Sequence, residues 1–389
     1  MRKVFLIIIF FCSQFIHPNK SLIEEDDFQI SILTVGPGSD LVDAFGHTGI
    51  RIIDKKNNLD LVFNFGIYDY NAPNFYSNFF RGRPVFSLGI NRFNDFFDSY
   101  VKQNRKVYEQ IIKISNDKKK IIVESLIQNS KEENKFYVYE YFDDNCSTRV
   151  ADILINEIGE FKVDLNKKTK FSYRELIHSK IGNNSIGSLG IDLCLGLKID
   201  KKITTRQTFF LPGKLKEFLD IIEDNNPNLV ETKLLYSPND TNSYKQQNIL
   251  KPLWVSLFIS IIIIWLTFKD FKRKKQTKIL DILILTTLSI IGMLIGYLWI
   301  FSNHSNGAMN LNILWANPLS FILIFHFFSN KKSKLTRLFL SFLIISIIVV
   351  IVFWVIQLQI FNLSIIPLMI GLLIRYFYLR EIYRANAEN

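Results

Sequence analysis

The pattern of hydrophobic and polar positions divides the chain near residue 250. Up to Tyr244, charged residues, turn residues and short apolar runs alternate, as in a globular domain, whereas long Ile, Leu and Phe runs dominate beyond Leu250. A helix that spans the hydrocarbon core of a bilayer needs about 20 apolar residues. Residues 250–380 therefore predict an all-α transmembrane bundle of about five helices. The apolar stretches are Leu253–Phe268, Ile279–Phe301, Ile313–Phe328, Leu338–Leu358 and Leu363–Phe377.

The charges between these stretches indicate the orientation of the bundle. The loop Lys269–Lys278 carries six Lys or Arg residues, the loop Asn330–Arg337 is also basic, and the loop Ser302–Asn312 carries no Lys or Arg. Basic loops stay in the cytoplasm. Residues 25–245 are therefore predicted to lie outside the cytoplasmic membrane, and residues 381–389 to form a cytoplasmic tail. Much of the net charge of +11 lies in these short loops, where it reflects membrane orientation. The basic charge is therefore not attributed to a nucleic-acid partner.

The first residues have the features of an export signal. Arg2 and Lys3 precede the apolar run Val4–Phe11, which is too short to span a bilayer comfortably. No small-x-small cleavage triplet stands out, so residues 1–20 are either a signal sequence or an uncleaved N-terminal anchor. Both alternatives agree with the loop charges in exporting the N-terminal domain.

A β-hairpin is predicted around a histidine. Residues 47–54 and 59–66 flank the turn Lys55–Asn58, and a turn at this position pairs residues whose numbers sum to about 113. Ile52 then faces Leu61 and Ile50 faces Phe63, so the apolar pairs share one face of the hairpin. His47 and Asn64 lie on the other face as diagonal neighbours, where an amide can orient an imidazole.

A cysteine is predicted in the first turn of a helix. An aromatic strand, Phe136–Phe142, is followed by an amphipathic helix, and Asp144 or Asn145 is a suitable N-cap before Cys146. The helix N-terminus favours the thiolate and offers N–H groups to an oxyanion. Cys146 is thus predicted to be a nucleophile with His47 as its base; the alternative is a buried apolar thiol.

Other polar residues leave alternatives open. Arg149, one turn after Cys146, could contact a lipid phosphate or a salt-bridge partner, and Arg174 could bind an anion or close a structural salt bridge. Cys194 lies among apolar residues and is predicted to be in the core, although a disulfide with Cys146 is possible in an exported protein. The segment Lys102–Lys131 is predicted to be helical. No metal-ligand cluster or glycine-rich phosphate loop appears, so no cofactor is predicted.

The uncharged loop Ser302–Asn312 faces the same compartment as the N-terminal domain. It contains His304, Asn310 and Asn312. These side chains either cap the adjacent helices in a solvated turn or contact a substrate that arrives from the bilayer. On the second interpretation, the bundle forms part of the active site.

These motifs resemble a known family. The order of a strand-borne Gly46-His47 before a helix that opens with Asn145-Cys146 resembles the circularly permuted NlpC/P60 papain-like fold, including its lecithin:retinol acyltransferase-like members. The whole chain resembles the Lnb family, the lipoprotein N-acyltransferases of Bacteroidota-type bacteria. The matching residues are Phe45-Gly46-His47, Asn64-Phe65-Gly66, Asp144-Asn145-Cys146-Ser147-Thr148-Arg149, Asp192 to Gly196 with Phe210-Leu211-Pro212, His304, Asn310-Leu311-Asn312 and Asn317-Pro318.

The resemblance implies a function in the bacterial inner membrane. An α+β papain-like domain in the periplasm would use Cys146 and His47 to move an acyl chain from a membrane phospholipid, through a thioester, to the N-terminal amine of a diacylated lipoprotein. Asn64 is a geometric prediction for the third catalytic residue. Two other functions stay open: a membrane-tethered cysteine peptidase or amidase that acts on cell-wall peptide, and a scaffold whose Cys146 and Cys194 are bridged.

Overall fold

The computed structural model describes residues 28–158, 163–238, 251–328 and 334–385. The predicted signal or anchor, residues 1–20, lies outside these ranges. The N-terminal domain is built on a seven-stranded antiparallel sheet with strand order β6-β4-β3-β2-β1-β5-β9, and β7 and β8 form a separate pair. The strands are β1 Phe28–Val35, β2 His47–Asp54, β3 Leu59–Ile67, β4 Val85–Arg92, β5 Val107–Ile112, β6 Phe136–Val138, β7 Lys168–Ser172, β8 Lys202–Thr204 and β9 Val230–Tyr236.

Helices cover both faces of this sheet. Apolar side chains on one face, including Ile30, Ile50 and Phe63, pack in one core with helices α3, α4 and α8, and those on the other face, including Leu33 and Val62, pack with α2. Successive side chains of a strand point to opposite faces of the sheet, and because both faces are covered, the central strand β1 is buried continuously from Ile30 to Val35. The helices are α1 Phe75–Phe80, α2 Phe93–Lys102, α3 Asn116–Ser130, α4 Cys146–Ile158, α5 Tyr173–Ile181, α6 Ile186–Cys194, α7 Thr205–Thr208 and α8 Pro212–Asn225.

The predicted hairpin is confirmed in its register. Ile50 pairs with Phe63 and Ile52 pairs with Leu61. The hairpin continues past the paired residues at its open end, where β2 begins at His47 and β3 carries an irregularity between Phe65 and Ile67. His47 and Asn64, which were predicted to be neighbours, therefore both lie toward the end of the hairpin opposite the turn.

Two predictions in the middle of the domain were only partly right: the second half of Lys102–Lys131 is helical, as α3, and the start of Phe136–Phe142 is a strand, β6. The segment Lys102–Lys131 is not one helix, because β5 occupies Val107–Ile112 between β1 and β9. Its charged and polar residues are compatible with a central strand because they are paired: the Glu109 carboxylate accepts hydrogen bonds from Ser31 (2.6 Å) and Arg51 (2.9 Å). The predicted strand Phe136–Phe142 is limited to β6, and an isolated bridge between Glu140 and Asp144 follows it.

The C-terminal region is helical. The described helices are α9 Pro252–Arg273, α10 Lys278–Ile300, α11 Phe321–Phe328, α12 Lys334–Val355 and α13 Ile365–Ala385. Three of them, α9, α10 and α12, are long and apolar enough to cross a membrane. Helix α13 buries Arg375, which pairs with Asp270 (2.8 Å) and Asp281 (2.6 Å). This buried ion network ties α13 to the facing ends of α9 and α10.

The third predicted helix, Ile313–Phe328, differs from the structure. The segment begins in 3₁₀ turns at Leu311–Leu314 and Pro318–Ser320, and α-helix starts only at Phe321. The side-chain oxygens of Asn310 and Asn317 accept hydrogen bonds from the backbone N–H groups of Asn312 and Leu319. Asparagine side chains compete in this way with helical hydrogen bonding, and hydrophobicity alone does not register the competition.

Candidate active site

Cys146 is the first residue of α4, and Asn145 caps that helix. The Asn145 side-chain oxygen accepts hydrogen bonds from the backbone N–H groups of Ser147 (2.8 Å) and Thr148 (2.9 Å). Its side-chain amide donates to the carbonyl oxygens of Tyr141 (2.8 Å) and Phe210 (2.9 Å). The predicted N-cap is therefore confirmed, and the buried amide fixes the start of α4 against two other segments.

His47 reaches the same place from the sheet. Its Nε2 atom lies 2.6 Å from the Asn64 Oδ1 atom, so the neutral imidazole donates through Nε2 and leaves Nδ1 for another partner. Asn64 is held in turn by a hydrogen bond from its Nδ2 atom to Asn91 Oδ1 (3.3 Å) on β4. The sequence reasoning missed Asn91, because its register position on β4 cannot be read from the hairpin alone.

Gly66 lets the helix approach the hairpin. Its φ of +92° is accessible to glycine at little cost. A Cβ atom added there would lie 3.5 Å from the Cys146 Cβ atom and 4.0 Å from the His47 Cε1 atom. Both side chains thus lie against one point of β3, which brings together the predicted residues Cys146, His47 and Asn64. These three residues are the candidate catalytic residues, and we call them the catalytic cluster.

The electrostatics of the catalytic cluster favour an ion pair. Burial raises the pKa of the Cys146 thiol, but the charge of His47, a hydrogen bond with it and the backbone N–H groups of Thr48 and Ser147 outweigh burial and bring the pKa below its ordinary value. Burial lowers the pKa of His47, whereas the Cys146 charge and hydrogen bonds with Cys146 and Asn64 raise it above its ordinary value. These opposite shifts stabilise thiolate with imidazolium.

Aromatic side chains enclose the catalytic cluster. Burial raises the pKa of Tyr100, Tyr137 and Tyr139, and the nearby charge of Cys146 adds to the shift in each case. The hydroxyl group of Tyr141 is buried, and no hydrogen-bond partner is found for it among the described residues. The alternation of Tyr137, Tyr139 and Tyr141 just before Cys146 was visible in the sequence, but its relation to the thiol was not predicted.

Arg149 is a salt-bridge residue in this structure. Its guanidinium group contacts Asp144 through Nε (2.5 Å) and Nη2 (2.8 Å), and it lies 3.6 Å from the ring centroid of Tyr137. Of the two alternatives that the sequence left open, the observed contacts correspond to the ion pair. The guanidinium group thus connects α4 to Asp144, which precedes the helix, and to Tyr137 on β6.

Family models match both regions of the chain. The model for the Lnb N-terminal periplasmic domain matches residues 20–179, and the model for the Lnb transmembrane domain matches residues 244–386. The chain belongs to the Lnb family. The mixed α/β domain with the antiparallel sheet is therefore periplasmic, and the multi-helix region is transmembrane. No curated protein and no solved structure matched the chain.

The two Lnb domains meet at a buried polar junction. Arg174 on α5 is fully buried and binds Asp192 (2.6 Å) on α6 and Asp200 (2.7 Å) in the following 3₁₀ turn. Burial raises the pKa of Asp192, but hydrogen bonds from His178 and Asn362 and the charge of Arg174 bring it below its ordinary value. Asn362 lies in the loop between α12 and α13, so this ion network joins the periplasmic domain to the transmembrane domain.

Asn310 and Asn312 belong to the same junction. The Asn310 amide donates to the Leu193 carbonyl oxygen (2.7 Å), and the Asn312 amide donates to the Asp192 carbonyl oxygen (2.8 Å). Asn312 also accepts a hydrogen bond from Trp315 Nε1 (2.8 Å). The structure therefore does not place these amides with the catalytic cluster, and their predicted contact with substrate stays a prediction. We call Arg174, His178, Asp192, Asn310, Asn312 and Asn362 the junction.

His304 makes a separate contact with the periplasmic domain. Its Nε2 atom lies 2.9 Å from the Phe79 carbonyl oxygen on α1, the short helix between β3 and β4.

Cys194 and Cys146 are both free thiols, so the alternative disulfide is absent from the structure, and burial raises the pKa of Cys194. Within the described ranges, no group of three or more His, Cys, Asp or Glu side chains is placed to hold a metal ion.

Proposed function

We propose that this Lnb-family protein is a lipoprotein N-acyltransferase. It moves an acyl chain from a membrane phospholipid, through a thioester on Cys146, to the N-terminal amine of a diacylated lipoprotein. The observation that carries the proposal is the catalytic cluster: a thiol with a lowered pKa at a helix N-terminus, next to an imidazole that an asparagine orients. Cys, His and Asn are also the catalytic set of papain-like proteases. Because His47 opens a strand that precedes the helix opening with Cys146, we further propose that the periplasmic domain has the permuted papain-like fold.

The first half of the reaction forms the thioester. The Cys146 thiolate attacks the carbonyl carbon of a phospholipid ester, and the backbone N–H groups at the start of α4 stabilise the oxyanion. The carbon–oxygen ester bond then breaks. His47 protonates the leaving alkoxide, which departs as a lysophospholipid, while the acyl group stays on the Cys146 sulfur.

The second half transfers the acyl group to nitrogen. The lipoprotein amine attacks the thioester carbonyl, His47 takes a proton from that nitrogen, and the carbon–sulfur bond breaks to leave an amide and a free thiolate. Water competes with the amine at this step. Tyr137 is buried and Tyr100 and Tyr139 are half-buried near the thiol, and we infer that they limit access by water, which gives a positioned amine the advantage.

The membrane attachment supports transfer over hydrolysis of cell-wall peptide. Both proposed substrates are anchored in the bilayer, and the junction fixes the periplasmic domain directly to outer loops of the transmembrane domain. A membrane-tethered peptidase would need no such rigid attachment. The direct comparison is acyl transfer from labelled phospholipid to a synthetic diacyl lipopeptide, against cleavage of peptidoglycan fragments by the same purified protein.

A pair of cysteine variants tests the proposal. Cys146→Ser should abolish transfer of label to the lipopeptide, because a serine hydroxyl lacks the acidity of this thiol. Cys194→Ser is the matched control: it removes the other described thiol, whose pKa burial raises, and should transfer at the wild-type rate. Transfer by Cys146→Ser at the wild-type rate would overturn the proposed function. Peptide cleavage without transfer would favour the peptidase.

A further inference from the structure

The segment between β3 and β4 carries aromatic side chains on its outer surface. Residues 68–84, which we call the aromatic arm, contain the short helix α1. The side chains of Tyr70, Tyr76, Phe79 and Phe80 are about half to two-thirds exposed, with fractions of 52%, 70%, 54% and 48%. So many exposed aromatic rings in one short segment are unusual for a surface that faces only water, and they indicate an interaction site.

The aromatic arm is attached to the outer end of a transmembrane helix. Phe80 stacks on Tyr297 of α10, with ring centroids 4.4 Å apart and planes 15° apart. The Asn303 backbone N–H donates to the Arg81 carbonyl oxygen (2.9 Å). Gly82 has a φ of +73°, and a Cβ atom there would lie 2.6 Å from the backbone nitrogen of His304. These contacts hold the arm at the level where α10 leaves the membrane.

The exposed surface of the aromatic arm is continuous with a lipid-facing surface. Ile300 and Phe301, at the end of α10, are among the most exposed apolar residues of the transmembrane domain. Tyr297 also packs against Phe301, with ring centroids 6.3 Å apart. A surface that begins on a transmembrane helix and continues onto exposed Tyr and Phe side chains matches the aromatic belt of membrane proteins, which lies at the level of the lipid headgroups.

The charges of the aromatic arm complement a phospholipid surface. Arg81 and Arg83 are exposed, and Asp69 is the one acidic residue in the sequence of residues 68–84. Guanidinium groups bind phosphate in a bidentate geometry. Aromatic rings beside arginines therefore combine a group that enters the headgroup region with a group that binds the phosphates there.

A row of aromatic rings leads from the arm toward the thiol. Tyr68 packs against Phe86 with ring centroids 5.1 Å apart, and Phe86 stacks on Tyr139 with centroids 4.3 Å apart. The arm begins only two residues after Gly66, which lies beside Cys146. An apolar chain that leaves the bilayer beside the arm would thus meet an aromatic surface that continues toward the catalytic cluster.

We propose that the aromatic arm enters the periplasmic leaflet of the bilayer and forms a second membrane contact of the protein, which guides a lipid acyl chain toward Cys146. The membrane contact follows from the surface of the arm alone. Only the guidance of an acyl chain rests on the proposed function. The occupant is the phospholipid leaflet, and the arm is an interfacial element that lies in the headgroup region without spanning the membrane.

Spin-label depth measurements test this proposal without turnover. In full-length protein with Cys12, Cys146 and Cys194 changed to serine, Tyr76→Cys or Phe79→Cys carries the label in nanodiscs of palmitoyl-oleoyl phosphatidylethanolamine and phosphatidylglycerol. The matched control is Lys55→Cys on the exposed hairpin turn, about 25 Å along β2 from the catalytic end. If an aromatic variant fails to fold, Ser77→Cys on the same helix carries the label in its place.

The labels on the arm should collide more with dissolved oxygen than with a nickel chelate, because oxygen concentrates in the bilayer and the chelate stays in water. The Lys55→Cys label should show the reverse. Arm labels that are as accessible to the nickel chelate as the Lys55→Cys label would overturn the proposal. That result would leave the proposed function intact, whereas failure of the Cys146 transfer assay would leave the membrane contact intact.

Discussion

The catalytic cluster and the junction contain the same residue types in different roles. Both combine a histidine with asparagine side chains, but the junction is largely buried, whereas in the catalytic cluster Cys146 is buried and His47 and Asn64 are half-buried. In the catalytic cluster, Asn64 binds one ring nitrogen of His47 and the other faces a thiol with a lowered pKa. In the junction, the Asp192 carboxylate is bound by Arg174, His178 and Asn362. A reactive group keeps capacity for a further bond, and a structural group does not.

This difference predicts that variants of the two regions fail in different ways. Variants of the catalytic cluster should lose activity and keep their stability, because none of its members carries a buried ion network between domains. Variants of the junction should lose stability first. Activity per folded molecule and the apparent Tm must therefore be measured for the same variants.

Among variants that keep the Cys146 thiol, the largest effect is expected for His47→Gln. Loss of the general acid and base should reduce acyl transfer by roughly 10²–10⁴-fold, with little change in Tm. Removing the charged partner also leaves burial to dominate, so the pKa of Cys146 should rise and the pH profile of its alkylation by iodoacetamide should move to higher pH. An unchanged alkylation profile would contradict the ion pair.

The pH dependence of acyl transfer should follow from the same pair. Activity should fall at low pH, where the Cys146 thiolate gains a proton, and at high pH, where the His47 imidazolium loses one. The Asn64 hydrogen bond raises the pKa of His47, so Asn64→Ala should move the upper pH limit of activity to lower pH. The charge of His47 lowers the pKa of Cys146, so His47→Gln should move the lower pH limit to higher pH. A rate measured across pH with one labelled phospholipid checks both limits.

Arg174→Ala should have the largest effect on stability. It leaves Asp192 and Asp200 buried without their cation, and breaking a buried ion pair costs about 3–5 kcal/mol. The matched control is Lys202→Ala, which removes an exposed ion pair with Glu175 and should cost less than about 1 kcal/mol. Thermal unfolding in detergent compares the two, and equal Tm values would show that Arg174 does not stabilise the junction.

Asn312→Ala should have a smaller effect of the same kind. It leaves the Trp315 N–H without its acceptor and removes the hydrogen bond to the Asp192 carbonyl oxygen, at a cost of about 1–3 kcal/mol. If Asn312 acts only through the junction, transfer per folded molecule should be close to the wild type. A loss of transfer at unchanged Tm would instead support the substrate contact that the sequence suggested.

The smallest effect is expected for Asn64→Ala. His47 would keep Cys146 but lose the hydrogen bond that orients its ring, and one such bond is worth about 1 kcal/mol, or roughly fivefold in rate. Asn91→Ala provides a comparison, because Asn91 is hydrogen-bonded to Asn64 rather than to His47. Equal losses for Asn64→Ala and His47→Gln would require a more direct role for Asn64.

The sequence predicted the catalytic cluster better than the junction for a physical reason. The period of two along the hairpin and the N-cap before Cys146 are local signals, and they placed His47 beside Asn64 and Cys146 in a first helical turn. Asp192 and Asn362 lie 170 positions apart, and their contact depends on how two domains pack. No periodicity within either segment records that packing.

The errors have the same origin. The strand Val107–Ile112 carries Glu109 and Gln110, which favour a helical interpretation until their partners on other elements are known. The break before α11 arises because Asn310 and Asn317 bind backbone N–H groups, a competition that apolar content does not reveal. In both cases polar side chains find partners that only the folded protein supplies.

The central claim is that Cys146 carries the acyl group between the two substrates. The most direct test is the intact mass of the Cys146-containing peptide after incubation of the purified protein with phospholipid and no acceptor. We expect a mass gain that matches one acyl chain, located on Cys146 and absent from Cys194, and lost when a diacyl lipopeptide is added. An unmodified Cys146 under conditions where label still reaches the lipopeptide would contradict the thioester mechanism.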